Sequence, residues 1–299
     1  MREFSSLSLS NPFMHFNTQT DQPAFWPLSQ YLLNEFQLAQ MHETGMACDR
    51  DTEYLHQYRV SLRRCRSLLA ILQACYRSRS VDLLLQQFKA LMEPTGKLRD
   101  LDVFLDPKSH DSIRFEMLNP LRPQVQLERH QAFEWFSVWL KSNEYRALKQ
   151  ATFTSLIECA QHPTHLGLED VHAVTTEKWT QQQKKLRKSM GNIHADSADD
   201  DIHTVRIACK KMRYLTDFAF ALHIELKSNL PLKKLKQLQT ELGTFNDSAC
   251  QIVFCRDHLA PLQCDGETAE AIQSFIDHTM ASHQHNKQRI IRLLNRLSG

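Results

Sequence analysis

The sequence predicts an all-α protein, and three observations carry that prediction. Glycine is scarce, with 7 residues in 299, so the turn chemistry that a many-stranded sheet needs is missing. Ala, Leu, Gln, Lys, Glu and Arg, all good helix formers, are abundant. No alternating Val/Ile/Thr run of useful length occurs. Hydrophobic residues at 42% and charged residues at 23% are ordinary for a globular chain able to bury a substantial core.

In chain order, residues 1–25 form a tail without helical period, and apolar spacing then predicts a first helix over 26–41. An acidic loop, "GMACDRDTE", precedes a strongly basic helix over 53–76. Its acids suit the positive N-terminal end of that helix and its capping. A helix over 81–92 is expected to end near Gly96, with the next beginning around Asp100. Long helices over 123–140 and 143–161 follow. The same series then restarts: a helix over 171–190, the acidic loop "GNIHADSADDD", a basic helix over 201–225, a helix over 232–242 ending near Gly243, another start around Asp247, and a long helix over 267–297.

The restart reflects an internal repeat. "HQYRVSLRRCRS" (56–67) recurs as "HTVRIACKKMRY" (203–214), 147 residues further on. His56 then matches His203, Arg59 matches Arg206, Arg63 matches Lys210, Arg64 matches Lys211 and Arg66 matches Arg213. The offset also relates Asp49 to Asp196, Lys89 to Lys236, Gly96 to Gly243 and Asp100 to Asp247. The chain divides into a tail (1–25) and two homologous halves (about 26–165 and 166–299).

On a helix turning about 100° per residue, His56, Arg59, Arg63 and Arg66 share an arc of roughly 80°, and His203, Arg206, Lys210 and Arg213 repeat it. Arg64 and Lys211 fall off the arc. Leu55, Leu62, Leu69, Val60 and Ile71 flank the stripe, so the helix is expected to be buried and the stripe to line a groove. A single cationic stripe is most often a solvated face, and neutralisation by Asp100, Asp102 or Asp247 is a second plain explanation. The duplication favours a shared anionic ligand, because like charges at i,i+4 destabilise a helix by a few tenths of a kcal/mol. Arginine's planar fork suits phosphate oxygens. The net charge is only +2, so any preference for anions has to come from this clustering.

These two motifs, with "KLRDLDVF" (97–104) and "LGTFNDSACQIVF" (242–254), resemble those of the conserved histidine α-helical domain, or CHAD, family. The resemblance spans about 26–299 and implies two antiparallel four-helix bundles related by pseudo-two-fold symmetry around a basic central groove or tunnel. It also implies binding of inorganic polyphosphate there, without catalysis and without a cofactor, by a stand-alone member of the family. The expected contacts are His56, Arg59, Arg63, Arg64, Arg66, Lys89, Lys97, Arg99, His203, Arg206, Lys210, Lys211, Arg213, Lys234 and Lys236. Lys97 and Arg99 lack basic counterparts, since Thr244 and Asn246 stand at the repeat positions.

Two alternatives remain open. A metal-assisted polyphosphate or nucleoside-triphosphate hydrolase would need Asp100, Asp102 and Asp247 to hold magnesium. An RNA-binding protein would need stacking aromatics, of which the stripes carry few: Tyr58 lies off the stripe and Tyr214 is matched by Ser67. His162 with His165, and His283 with His285, have metal-like spacing that fifteen histidines produce readily by chance, and no metal is expected. Eight scattered cysteines without a C-x-x-C pair read as reduced thiols, Cys250 and Cys255 among them as core positions. No apolar run of about 18 residues occurs. The expected setting is the cytoplasm, at polyphosphate granules or beside a polyphosphate-metabolising enzyme, with no membrane partner.

Overall fold

The computed structural model describes residues 22–107, 112–226, 232–259 and 266–298. Most of the tail and Cys264 lie outside the described residues. The first half consists of α1 (Phe25–Met41), α2 (Glu43–Ala47), α3 (Thr52–Leu72), α4 (Ser78–Met92), α5 (Gly96–Leu105), α6 (Ser112–Met117), α7 (Arg122–Lys141) and α8 (Asn143–Gln161). The second consists of α9 (Val171–Gly191), α10 (Asp199–Ala221), α11 (Leu232–Phe254) and α12 (Gly266–Ser298). Among the described residues the only β pairing is two isolated bridges, so the all-helical expectation holds.

Short polar caps start three of the helices. Asp51 accepts from the Glu53 N–H at 2.9 Å before α3, Ser142 from Tyr145 at 3.1 Å before α8, and Asp170 from Ala173 at 2.9 Å before α9. The bland role given to the acids before the basic helix is thus real for Asp51. α2 overlaps the start of what reads as an acidic loop, and Asp49 just beyond it has a left-handed φ of 46°.

The halves differ where the repeat predicts the same break. In the first half Pro94 sits in a short 3-10 turn, Glu93–Thr95, that separates α4 from α5. Proline cannot continue a helix, because it lacks the N–H and its ring meets the preceding turn. Glu241 occupies that register in the second half, and α11 runs unbroken through the expected end near Gly243 and the expected start near Asp247. Pro94, not Gly96, decides the break, and Gly96 opens α5.

In the first half α3 packs on α1 and α4, α8 on α1 and α4, and α5 on α7; in the second, α10 packs on α9 and α11, and α12 on α11 and α9. α3 also packs directly on α10. One continuous cluster of buried side chains runs through both halves. Tyr31 of α1 meets Phe218 of α10 edge-on at 5.2 Å, and Phe104 of α5 packs against Phe254 and Phe275 at 4.8 and 5.5 Å. Where the chain enters α1, the Ala24 N–H donates to the Glu169 carbonyl at 2.8 Å and the Val171 N–H to that of Gln22 at 3.0 Å, closing an antiparallel bridge between Pro23 and Asp170. A second bridge joins Tyr76 to Pro163, and a Cβ at Gly167 there would overlap the Cys75 carbonyl oxygen. The seven described cysteines are free thiols. Among the described residues no helix is long and apolar enough to cross a membrane.

Gly243 lies inside α11 with open space where a Cβ would stand. Gly243→Ala should therefore stabilise the fold by about 0.5–1 kcal/mol. A thermal melt checks this, and a fall in Tm would contradict the unbroken helix.

Candidate functional site

The apolar flanks of the basic stripe go inward: Leu55, Leu62 and Leu69 are 4%, 0% and 0% exposed. Their burial turns the stripe toward the contact of α3 with α10, leaving His56, Arg59, Arg63 and Arg66 half-buried. On α10, Arg206 and Lys210 are half-buried, while His203 and Arg213 are exposed. The two stripes meet. Arg63 of α3 acts across the contact on both Arg206 and Lys210 of α10.

The electrostatics of this cleft follow from crowding. Burial, then the charges of Arg206 and Arg63, push the Lys210 ammonium down to about 8, against the pull of Asp247. Burial first and Arg63 second lower Arg59. Burial chiefly lowers Arg206, with Asp247 opposing and Arg63 adding to the shift. His56 is lowered by burial and then by Arg99. Burial raises the Asp247 carboxyl, opposed by Arg206, Lys210 and Arg99. Arg99 from α5 and Asp247 from α11 therefore belong to the same cluster, and Asp100 acts there on Arg59 and Cys250.

Local bonding separates the two halves. Arg59 Nη1 donates to the Met92 carbonyl at 3.0 Å and to Thr95 Oγ1, both on the turn made by Pro94 at the electronegative C-terminal end of α4. Arg66 Nη1 lies 3.6 Å from Met92 Sδ. With no such turn in the unbroken α11, Arg206 has no matching anchor. The Nε groups of Arg59 and of its repeat equivalent Arg206 are both buried without a hydrogen-bond partner.

Several expected contacts lie elsewhere. Arg64 turns away and donates to Glu35 Oε1 at 3.1 Å, a carboxylate only 3% exposed on α1. Its role is an internal ion pair. The corresponding second-half positions hold Lys211 and a buried Gln182. Lys97 approaches Glu128 of α7 at 3.7 Å and lines a separate cavity with Pro94, Leu98 and Trp135. Lys89, Lys234 and Lys236 are exposed on α4 and α11. Arg213 pairs with Asp217 at 3.7 Å, one turn along its own helix.

The candidate metal ligands are similarly divided. Asp102 faces α7, where its Oδ1 accepts from Arg129 Nε at 2.8 Å. The rest of that guanidinium grips both oxygens of Asp49 at 2.7 Å. Burial lifts the Asp102 carboxyl to about 6 despite Arg129. Only Asp100 and Asp247 lie in the cleft. Among the described residues no three His, Cys, Asp or Glu side chains converge as a metal site. His283 is engaged by Ser248 Oγ at 2.8 Å and Asp199 Oδ2 at 2.9 Å. Cys250, read as a core position, is exposed beside Asn246, whereas Cys255 is buried.

The pairing of Glu35 with Arg64 yields a test. Glu35→Gln leaves a half-buried guanidinium with its carboxylate partner gone and should destabilise the fold by about 3 kcal/mol. The double variant Glu35→Gln/Arg64→Lys, which copies Gln182 and Lys211, should recover most of that loss. Chemical denaturation of the three proteins checks it, and additive losses would rule out the pairing as the cause.

A family model described as CHAD domain matches residues 30–256. The crystal structure of the CHAD domain from the plant Ricinus communis is 25% identical, with a TM-score of 0.76 over 94% of this chain and 96% of that one. PptA from Streptomyces chartreusis is similar in fold, with 14% identity and a TM-score of 0.59 over 92% of this chain and 99% of that one. No protein with a curated description matches the sequence.

Proposed function

The chain belongs to the CHAD domain family, and from that premise we propose that the cleft between α3 and α10 binds inorganic polyphosphate without catalysing its breakdown. The observation that carries this reading is a set of cations pressed together with no ion pair to a described residue. Arg63, Arg99, Arg206 and Lys210 converge from α3, α5 and α10, and burial first, then Arg206 and Arg63, drive Lys210 down to about 8. A linear polyanion with about one charge per phosphate relieves that repulsion along its length. Arg59 and Arg66 extend the wall on α3, and His56 stands at its edge.

We place the two halves about a pseudo-two-fold axis as two antiparallel bundles. Two contacts between repeat equivalents support this: Pro23 with Asp170, and Arg63 acting on Lys210. Such self-equivalent contacts arise where an axis passes. Phosphate is favoured over RNA because Tyr58 and Tyr214 are buried, at 1% and 6%, and cannot stack on bases. The setting we propose is the cytoplasm, at polyphosphate granules or with an enzyme that makes or consumes the polymer.

Affinity for polyphosphate of defined length should fall steeply with salt, as counterion release requires. Arg63→Glu/Arg206→Glu should weaken binding by at least about a hundredfold, because each reversal removes an attraction and adds a repulsion. A salt series by fluorescence anisotropy checks both, and a flat response would overturn the reading. Phosphate release with magnesium present would instead favour the hydrolase.

The pH dependence has a fixed sign. A bound polyanion raises the Lys210 pKa from about 8, so binding takes up a proton. That contribution is complete below about pH 8 and is lost as pH rises toward the ordinary lysine value of about 10.4. Lys210→Arg should flatten this loss between pH 8 and 10, measured by titration calorimetry. An unchanged pH profile would show that Lys210 is not the titrating group.

A further inference from the structure

Lys210 is an amine set among guanidiniums, one helical turn beyond Arg206 on α10. Its repeat equivalent is Arg63, and the two act on each other across the contact of α3 with α10. The charged groups that face Lys210 are Arg206 and Arg213 on its own helix, Arg63 from α3 and Asp247 from α11. Lys210 itself makes no ion pair with a described residue and is half-buried, not sealed. A lysine held beside other cations is a stronger nucleophile at neutral pH, because more of it is the free amine. Here burial is the larger cause of the freed amine, and the neighbours that add to it are guanidiniums suited to phosphate oxygens.

We propose that Lys210 is a modification site, acylated by small acyl phosphates whose phosphate group is held by Arg63 and Arg206. The free Nζ lone pair forms a bond to the acyl carbon. The bond from that carbon to the phosphate oxygen breaks, and its electron pair leaves with inorganic phosphate. The amine proton goes to solvent, and nothing is oxidised or reduced. The arginines lower the cost of the step by stabilising the leaving phosphate. The product is an uncharged amide at the meeting point of the two stripes. If the cleft takes polyphosphate as proposed above, acylation removes a central cation and weakens that binding; the acylation itself does not depend on that reading.

The test is a time course of the full-length protein with acetyl phosphate at pH 8 and low salt, mapped by peptide mass spectrometry. Lys211, the next residue on the same helix but off the stripe, is the internal reference. Lys210 should acetylate at least about tenfold faster than Lys211, because it stands one turn from Arg206 and at the contact of α10 with α3, where a phosphate held by the arginines brings the acyl carbon to it. Excess inorganic phosphate, or Arg63→Ala or Arg206→Ala, should remove most of that preference. A neutral acetyl ester, which offers no phosphate to the arginines, should show a smaller one. Equal rates at Lys210 and Lys211 would overturn the proposal, as would a preference indifferent to phosphate and to both arginine variants. The labelling contains no polyphosphate, so it succeeds or fails apart from any binding measurement. Lys210→Gln, which mimics the amide, should lower polyphosphate affinity about tenfold; full affinity would overturn the regulatory consequence.

Discussion

Two cationic helix faces are held against each other in the middle of this molecule, and much else is arranged to tolerate that. Two unit charges about 5 Å apart repel by roughly 3 kcal/mol at an effective dielectric near 20. Helices bearing only such faces would separate. They stay together because each carries an apolar face on its far side. Leu62, Leu68 and Leu69 on α3, and Ile202, Val205 and Leu215 on α10, are all fully buried. Each contributes about 1.5–3 kcal/mol, and their sum outweighs the repulsion. The repulsion is then held as a standing field, which the core keeps from relaxing.

The halves bear this load differently. In the first, Pro94 breaks the helix and exposes the Met92 carbonyl, which restrains Arg59. Glu35 neutralises Arg64, and Asp102 and Asp49 clamp Arg129. In the second, Glu241 lets the helix continue, Gln182 replaces Glu35, and Ala249 and Ile276 stand where Asp102 and Arg129 do. A buried ion pair replaced by apolar side chains is an energetically reasonable exchange. The second half places its polar braces elsewhere, from Asp199 to His283 and Lys287, while the stripes themselves persist in both.

Much of this was legible in the residues. The 147-residue offset, the arc shared by His56, Arg59, Arg63 and Arg66, and the apolar flanks predict an all-helical chain with half-buried stripes, because helical period fixes which side chains share a face. Period cannot say what waits opposite a face. Arg64 reads as one more cation of a basic run; only the packing of α1 on α3 brings Glu35 to it, although a lone acid within "YLLNEFQL" was a signal of a buried partner. The break expected near Gly96 is present and the one expected near Gly243 is not, because the proline at 94, which carries the larger helix penalty, has no counterpart at Glu241. Cys250 follows an apolar pattern and yet lies at the cleft, where the register of α11 exposes it.

The short bridge from Pro23 to Asp170 bears on how the chain assembles. Its two backbone hydrogen bonds close a loop across nearly half the sequence. Such distant contacts form late, since the entropy of closing the loop must be overcome before they contribute anything. As the chain emerges from the ribosome, α1 can pack on α3 and α8 while its leading edge still has no partner. That edge is completed only when residues 169–171 are made, and Tyr31 waits longer still, for Phe218. The first half is therefore synthesised first but finished only when the second is under way, with its N-terminal seam closed by the beginning of the second.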